Sequence, residues 1–500
     1  MIEKYYSGVI EQIYNRIGKE TRNIVMANYS NDFSIENLEV IRRYQSNEDN
    51  VFFAYSEFSY NTLVGAYEPF LDIICNMHRR FIGGSFDDFQ KECGVYYLHR
   101  QVLNSYYETG ECFREETVLL NEVAYEQRRM TMAIADMLKR LSEVRPLMIV
   151  INRFQMASKS SIETIKYLID NPCANIGIVL GVNAIVKGSD STVEVWDRIV
   201  ESLEDRSAIY YIGSAGPLKN NIKTTNDDEL YITMSFEQSI QEASNIMEFL
   251  DFEQARRGCR IIEHKLKFED AWIDEKSLRR FYRVYARTSV LLGEMSKAIE
   301  LTNEYKALIP ENDSEHYLSL YYFMKGTCYM YQGKLEKAGN SAKSAYDYAV
   351  LAEDDTLIFK AELLSVMIKM SGWYNIFFCV QDIPVSDEII EKLIKHGYRN
   401  HLAHIYIYAY DNSRDVVKQS FYDESLLKHF TKGLELAKEI GNEQLVYDAY
   451  QKTIMLASTS GLNEIAFFIC YPYIRVHEGA RQYICCESAY VYRLQFKCHG

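Results

Sequence analysis

The first 225 or so residues alternate between two spacings of apolar side chains. Ile2, Tyr6, Val9, Ile10, Ile13, Tyr14 and Ile17 recur at the interval of one helix face. Asn23–Ala27, NIVMA, is instead a short unbroken apolar run, followed by a helical pattern over Ser34–Tyr44. Asn50–Tyr55, NVFFAY, is a second such run, and a helix begins near Tyr67 and continues through ICNMHRRF. Glu115–Leu141 reads as one long helix, with Glu115 and Glu116 suited to its first turn and Lys139 and Arg140 to its last. Leu147–Ile151, Ile176–Val182 and Ala208–Ile212 complete the set of short, β-branched runs. Such runs suit strands buried on both faces. Their alternation with helices predicts a mostly parallel sheet covered on both sides.

Near Asp227 the pattern changes to helical periods that persist to the end, with only Ile232 and its neighbours strand-like. The polar connector KNNIKTTNDDE (219–229) marks the expected boundary between an α/β domain at 1–225 and an all-α domain at 229–500. The chain is thus expected to be predominantly helical. Residues 381–423, with Pro384, are its least regular part.

Composition narrows the class. The 500 residues are 48% apolar and 25% charged, ordinary values for a folded soluble protein. The N-terminus mixes charge with apolar residues and has no signal-peptide core, and no window is apolar enough for a membrane span. The eleven cysteines form no CxxC pair and read as reduced thiols in a cytoplasmic protein. A net charge of −15 argues against broad nucleic-acid binding, although a small basic patch can hide inside an acidic total.

Candidate chemistry centres on Pro146–Leu168, PLMIVINRFQMASKSSIETIKYL. A buried strand gives way to polar residues, and Ser160 or Ser161 opens a helix with Ile162, Ile165, Leu168 and Ile169 on one face. This is half of a βαβ crossover, and the carboxyl tip of such a strand is where parallel sheets bind ligands. The stretch resembles the Walker B segment of signal-transduction P-loop ATPases (STAND) with tandem helical repeats, such as the large LuxR-type regulators. Gln155, Ala157, Ser161 and Leu168 match that family's pattern, but its two acidic positions are Asn152 and Arg153. An amide cannot supply a metal's carboxylate ligand, and an arginine adds charge of the wrong sign.

The loop after NIVMA has the length and placement of a phosphate-binding loop without its residues. Asn28, Asn31, Phe33, Ser34 and Ile35 occupy it, with Phe33 about where the second glycine belongs and Ser34 about where the lysine belongs. Asp32 would face phosphate with like charge. Tyr5–Ile17 resembles the family's Phe-x-Gly-Arg-x-x-Glu-Leu leading helix with the arginine lost, and Tyr67–Leu71 its Tyr-x-Pro-Phe segment. The resemblance therefore implies a degenerate P-loop NTPase-like domain, a pseudo-ATPase with no cofactor, no metal and at most weak, Mg²⁺-independent nucleotide binding. A salt bridge from Arg153 into the vacated cleft, with Asp32 as the candidate partner, is weighed against an Arg153 pointing to solvent.

Repeats dominate the second half. Gly326, Tyr329, Gly333, Ala338 and Ala345 match the tetratricopeptide pattern, whose small residues let two helices approach closely. Gly293 with Ala298, Gly333 with Ala338 and Gly461 with Ala466 repeat one interval, and Gly372 follows Gly333 by 39 residues. A solenoid is expected from about 237 to 498; a non-repetitive bundle is the alternative. Gly333→Leu and Ala338→Trp are both expected to overpack the helix pair. His396, His401 and His404 read as a helix surface with histidines, and Cys485, Cys486, Cys498 and His499 as core thiols and a neighbour rather than a zinc site. Gly83-Gly84 reads as a turn, and the Asp227-Asp228 and Asp354-Asp355 pairs as caps or solvated loops.

Two principal functions stay open. One is a signalling or transcriptional regulator, whole or fragment, that binds a protein, peptide or small effector on its repeats. DNA would be reached only through an output domain not present in this sequence, and self-association is left open. The other is an active NTPase with divergent motifs. A plain tetratricopeptide scaffold or adaptor is a third and weaker reading.

Overall fold

The computed structural model describes residues 2–30, 38–46, 50–59, 63–114, 116, 122–183, 193–215, 234–268, 273–312, 314–374, 387–409 and 424–450. Five strands, β1 (Ile24–Tyr29), β2 (Phe52–Glu57), β3 (Leu147–Asn152), β4 (Ile176–Asn183) and β5 (Ile209–Ile212), form one sheet in the order β2-β3-β4-β1-β5. Every pairing is parallel, as the alternating pattern predicts; Glu57 lies opposite Asn152, and Tyr29 opposite Asn183. Leu147 through Ile151 are all fully buried, which is why the run carries no polar alternation.

Helices α1 (Ile2–Arg16) and α2 (Glu39–Ser46) cover one face. There Tyr6, Ile10 and Ile13 pack with Val25, Ala27, Val150 and Ile41. Then come α3 (Phe70–Met77), α4 (Phe86–Glu92), α5 (Tyr97–Thr109), α6 (Val123–Val144), α7 (Lys159–Asp170) and α8 (Val193–Glu204). Of the helix expected over Glu115–Leu141, the structure describes α6 from Val123 onward, and Arg114 and Glu116 ahead of it are buried. The two sides of the expected connector meet in one compact unit, Met1–Ile368; the connector itself lies outside the described residues.

The rest of that unit is helical hairpins: α9 (Phe236–Glu248) with α10 (Phe252–Phe268), α11 (Glu275–Leu291) with α12 (Met295–Ala307), and α13 (Ser314–Tyr331) with α14 (Leu335–Leu351), before α15 (Asp355–Tyr374). Gly293 and Gly333, forty residues apart, turn the chain in the left-handed region at φ 77° and 71°. Each turn closes with the same bond, Glu294 N–H to the Ser289 carbonyl at 2.8 Å and Lys334 N–H to the Tyr329 carbonyl at 2.9 Å. Gly372 breaks the series: it lies inside α15 and not in a turn.

Ala298, Ala338 and Ala345 are fully buried, and a Cβ on Gly326 would sit 3.0 Å from Leu364 and 3.4 Å from the Ser341 Cβ. Tyr329 packs at the edge of the same cluster. Ala338→Trp is therefore expected to cost about 1–3 kcal/mol by overpacking. Gly333→Leu needs a different reason from the expected one. A Cβ there meets nothing within 4 Å, so its cost, about 1–2 kcal/mol, is backbone strain at positive φ. Chemical denaturation checks both, and Gly333→Asn, which tolerates that conformation, should lose clearly less.

A second unit, Lys369–Gly500, contains α16 (Asp387–Lys395), α17 (Arg399–His404) and α18 (Glu424–Ile440). His401 and His404 are 3% and 2% exposed, so they are core residues and not the expected helix surface. Gly461, Ala466, Cys485, Cys486, Cys498 and His499 lie outside the described residues, as do Ile232 and Asp227-Asp228. No described helix is long and apolar enough to cross a membrane, and the described cysteines are free thiols.

Candidate functional site

The carboxyl ends of β1, β3 and β4 lie side by side, where a parallel sheet would hold a ligand. Of the loop after β1, Asn28 is buried within the strand; Asn31, Asp32, Phe33, Ser34 and Ile35 fall outside the described residues. At the tip of β3, Asn152 is fully buried, and its Oδ1 accepts a hydrogen bond from the Tyr29 hydroxyl at 2.6 Å. Tyr29 is itself held edge-on by Tyr6 of α1, ring centroids 6.2 Å apart. Burial raises the Tyr6 hydroxyl well above the usual tyrosine range, with Tyr29, Tyr55 and Glu57 adding to the shift.

Arg153 follows in the left-handed region, φ 54° and ψ 40°. This conformation is uncommon for a side chain of its size and is held by surrounding contacts. Its Nη1 is 2.9 Å from Glu57 Oε1 at the end of β2, both side chains being four-fifths or more buried. The same nitrogen reaches the Phe58 carbonyl at 3.4 Å, and the Tyr55 hydroxyl donates to Glu57. Arg153 thus turns inward to an acidic partner and not to solvent; the partner observed is Glu57, and the candidate Asp32 lies outside the described residues. That residue has no marker in sequence: only the register of β2 against β3 brings it there. Gln155 is buried, and its side-chain oxygen accepts from Asn183 N–H on β4 at 3.3 Å. The tip therefore carries an amide, an ion pair and a second amide that spans two strands. None of these supplies a carboxylate free to hold Mg²⁺ or to activate water. Among the described residues no group of His, Cys, Asp or Glu could hold a metal.

The crossover that leaves this tip docks the helical hairpins. Ser158 caps α7, and Ser161 donates to the Glu68 carbonyl at 2.8 Å, so the segment around Tyr67 lies on the start of α7. Tyr67 N–H donates to Ser160 Oγ at 3.0 Å. Asp251 accepts from Ser160 N–H at 3.1 Å and from Gln254 N–H at 3.4 Å, so one buried carboxylate caps both α7 and α10. Burial raises its pKa, opposed by its bonds to Ser160. The motif Asp-x-x-Gln at 251–254 was a readable cap signal; the second helix it caps was not.

A second contact lies further along α9. Cys112 N–H donates to Asn245 Oδ1 at 2.9 Å, and Arg114 Nη2 donates to the Glu248 carbonyl at 2.7 Å. Arg287 of α11 also pairs with the Glu248 carboxylate. The sheet module and first hairpins are joined by this buried polar seam.

No family model matches the chain, and no curated protein matches it. Among solved structures, a STAND protein with a tetratricopeptide repeat sensor from Pyrococcus horikoshii is similar at TM-score 0.44 and 13% identity, over 95% of this chain and 83% of that one. A Rap protein complexed with competence and sporulation factor is similar at TM-score 0.34 and 11% identity, over 83% of this chain and 99% of that one. Both likenesses are weak, and neither bears on what this chain binds or does.

Proposed function

We propose that this chain is a non-hydrolysing regulatory protein of the signalling or transcriptional kind. Its tetratricopeptide-like hairpins bind a protein, peptide or small effector, and its sheet module is a fixed support for them. Contact with DNA would depend on an output domain outside this sequence. The carrying observation is the filled tip of β3, where Tyr29 donates to Asn152 at 2.6 Å and Arg153 pairs with Glu57 at 2.9 Å. A nucleotide selects between states only by binding them with different affinity. A site whose acidic positions are an amide and a paired arginine offers Mg²⁺·ATP little to act on.

Calorimetry with ATP and Mg²⁺ is expected to show at most weak, Mg²⁺-independent binding, and steady-state assays no turnover. Single or paired restoration of the acidic positions, Asn152→Asp with Arg153→Asp, should not create turnover. Tight Mg²⁺-dependent binding, or turnover abolished by Asn152→Ala, would overturn the proposal.

A further inference from the structure

Residues 63–69, between β2 and α3, join the sheet module to the first hairpin. A Cβ on Gly258 of α10 would sit 2.8 Å from Leu63 Cδ2 and 3.4 Å from the Ala243 Cβ of α9, so three elements close up there. Gln254 Nε2 of α10 donates to the Val64 carbonyl at 3.0 Å. The Tyr67 ring stands edge-on to Phe249, centroids 6.1 Å apart.

Two half-buried carboxylates meet in this joint, one from each side. Glu68 Oε2 accepts from Gly65 N–H at 2.9 Å. Glu242 of α9 reaches the same spot. A Cβ on Gly65 would sit 3.0 Å from Glu242 Oε1 and 3.4 Å from Glu68 Oε2, so both oxygens lie within 3.4 Å of one point. Glycine at 65 leaves the room they occupy. Asp72 of α3 is the third acid here, exposed and accepting from the Tyr106 hydroxyl at 2.9 Å. The other helices packed on α9 bring arginines that are held elsewhere: Arg256 by Glu294, Arg280 by Gln241 and Arg287 by Glu248.

Two ionised carboxylates this close and partly desolvated repel, and one gives way by keeping its proton. We propose that the joint is a pH-sensitive clasp, held while Glu242 is protonated and loosened when Glu242 ionises beside Glu68. Burial pushes the Glu242 carboxyl up to about 7, with Glu68 and Asp72 adding to the shift. Burial raises Glu68 as well, against its bond from Gly65 N–H, with Asp72 adding. Glu242 in turn acts on Tyr106 of α5 and on Cys112, both raised chiefly by burial and so uncharged near neutral pH. In an opened joint Glu242 returns to the ordinary range, about 4.3. Between that value and about 7, opening releases a proton, so the opened fraction rises with pH and levels off once the closed joint ionises too. The seating of α9 on the sheet module thus responds to pH up to neutrality, whether or not the hairpins bind an effector.

Hydrogen exchange of the full chain at pH 6 and pH 8, corrected for the intrinsic pH dependence of exchange, tests it. Protection of residues 63–68 and 240–247 should fall by about tenfold between the two. Residues 147–151 should stay far better protected than the joint at both values, which places the opening in the joint. Glu242→Gln imitates the protonated side chain and should abolish the fall. Glu68→Gln removes the neighbouring charge and should shrink it. Equal protection at the two pH values in the parent overturns the proposal, as does an undiminished fall in Glu242→Gln. Protection of the joint equal to that of residues 147–151 also overturns it, because the change would then be global unfolding and not a clasp.

Discussion

Glu248→Ala is expected to lose about 3–5 kcal/mol of folding stability, because it strands a buried guanidinium. The Arg114 side chain is 1% exposed and Glu248 8% exposed, with Nε and Oε2 3.7 Å apart. Two of the Arg114 nitrogens, Nε and Nη1, have no hydrogen-bond partner among the described residues. Burial pulls the pKa of Arg114 below the ordinary arginine range, and Glu248 is the leading group opposing that shift. Only the bond from Nη2 to the Glu248 main chain survives the truncation. Urea denaturation of the full chain measures the loss. The pair Arg114→Met with Glu248→Leu should recover most of it, since apolar replacement of a buried ion pair is often neutral. A loss below about 1 kcal/mol for Glu248→Ala would place Arg114 in water and undo the docking seam.

Acid is expected to weaken the protein through His99. This residue is fully buried, its Nε2 2.9 Å from Glu126 Oε2. Burial pulls its pKa down to about 4, against the opposing pull of Glu126, while Arg114 and Arg129 lower it further. In the unfolded chain the value is about 6.5. Between the two, the unfolded state binds the extra proton, so stability falls as pH drops, by a total of about 3 kcal/mol. Glu242 acts in the opposite direction. Burial, with Glu68 and Asp72 close by, pushes its carboxyl up to about 7, so acid relieves it. The contribution of His99 is isolated by comparison with His99→Gln. The difference in stability between pH 7 and pH 4.5 should be smaller in the variant by about 2–3 kcal/mol. Equal differences in the two proteins would mean that His99 is charged or solvated in the fold.

The sheet was legible because its strands are unbroken apolar runs, and burial on both faces leaves no other pattern. Leu147–Ile151 is the plainest case, predicted as a strand and found fully buried. The hairpin turns at Gly293 and Gly333 were legible because a left-handed turn favours glycine. Gly372 misled for the complementary reason: glycine is tolerated inside a helix, so identity and interval alone did not fix a turn. Asn152 and Arg153 were visible as departures from a motif. Their partners were not, because Tyr29 and Glu57 reach them from other strands, and register decides which residues meet. Glu116 was read into the first turn of a helix, since charges beside a helical pattern usually face water, yet it is fully buried. Arg114 beside it had no marker in the sequence, and its Nη2 donates to the carbonyl of Glu248, 134 residues away. Buried ion pairs leave no periodicity for a sequence to show.

On the proposed reading, the tip of β3 is closed by its own side chains and does not change state with nucleotide. Hydrogen exchange with and without Mg²⁺·ATP tests it most directly. A closed tip gives identical protection across residues 147–157 and 52–58 in both conditions, with Tyr29→Phe loosening those amides whether or not ATP is present. Protection that rises in these segments only when Mg²⁺·ATP is added would contradict it.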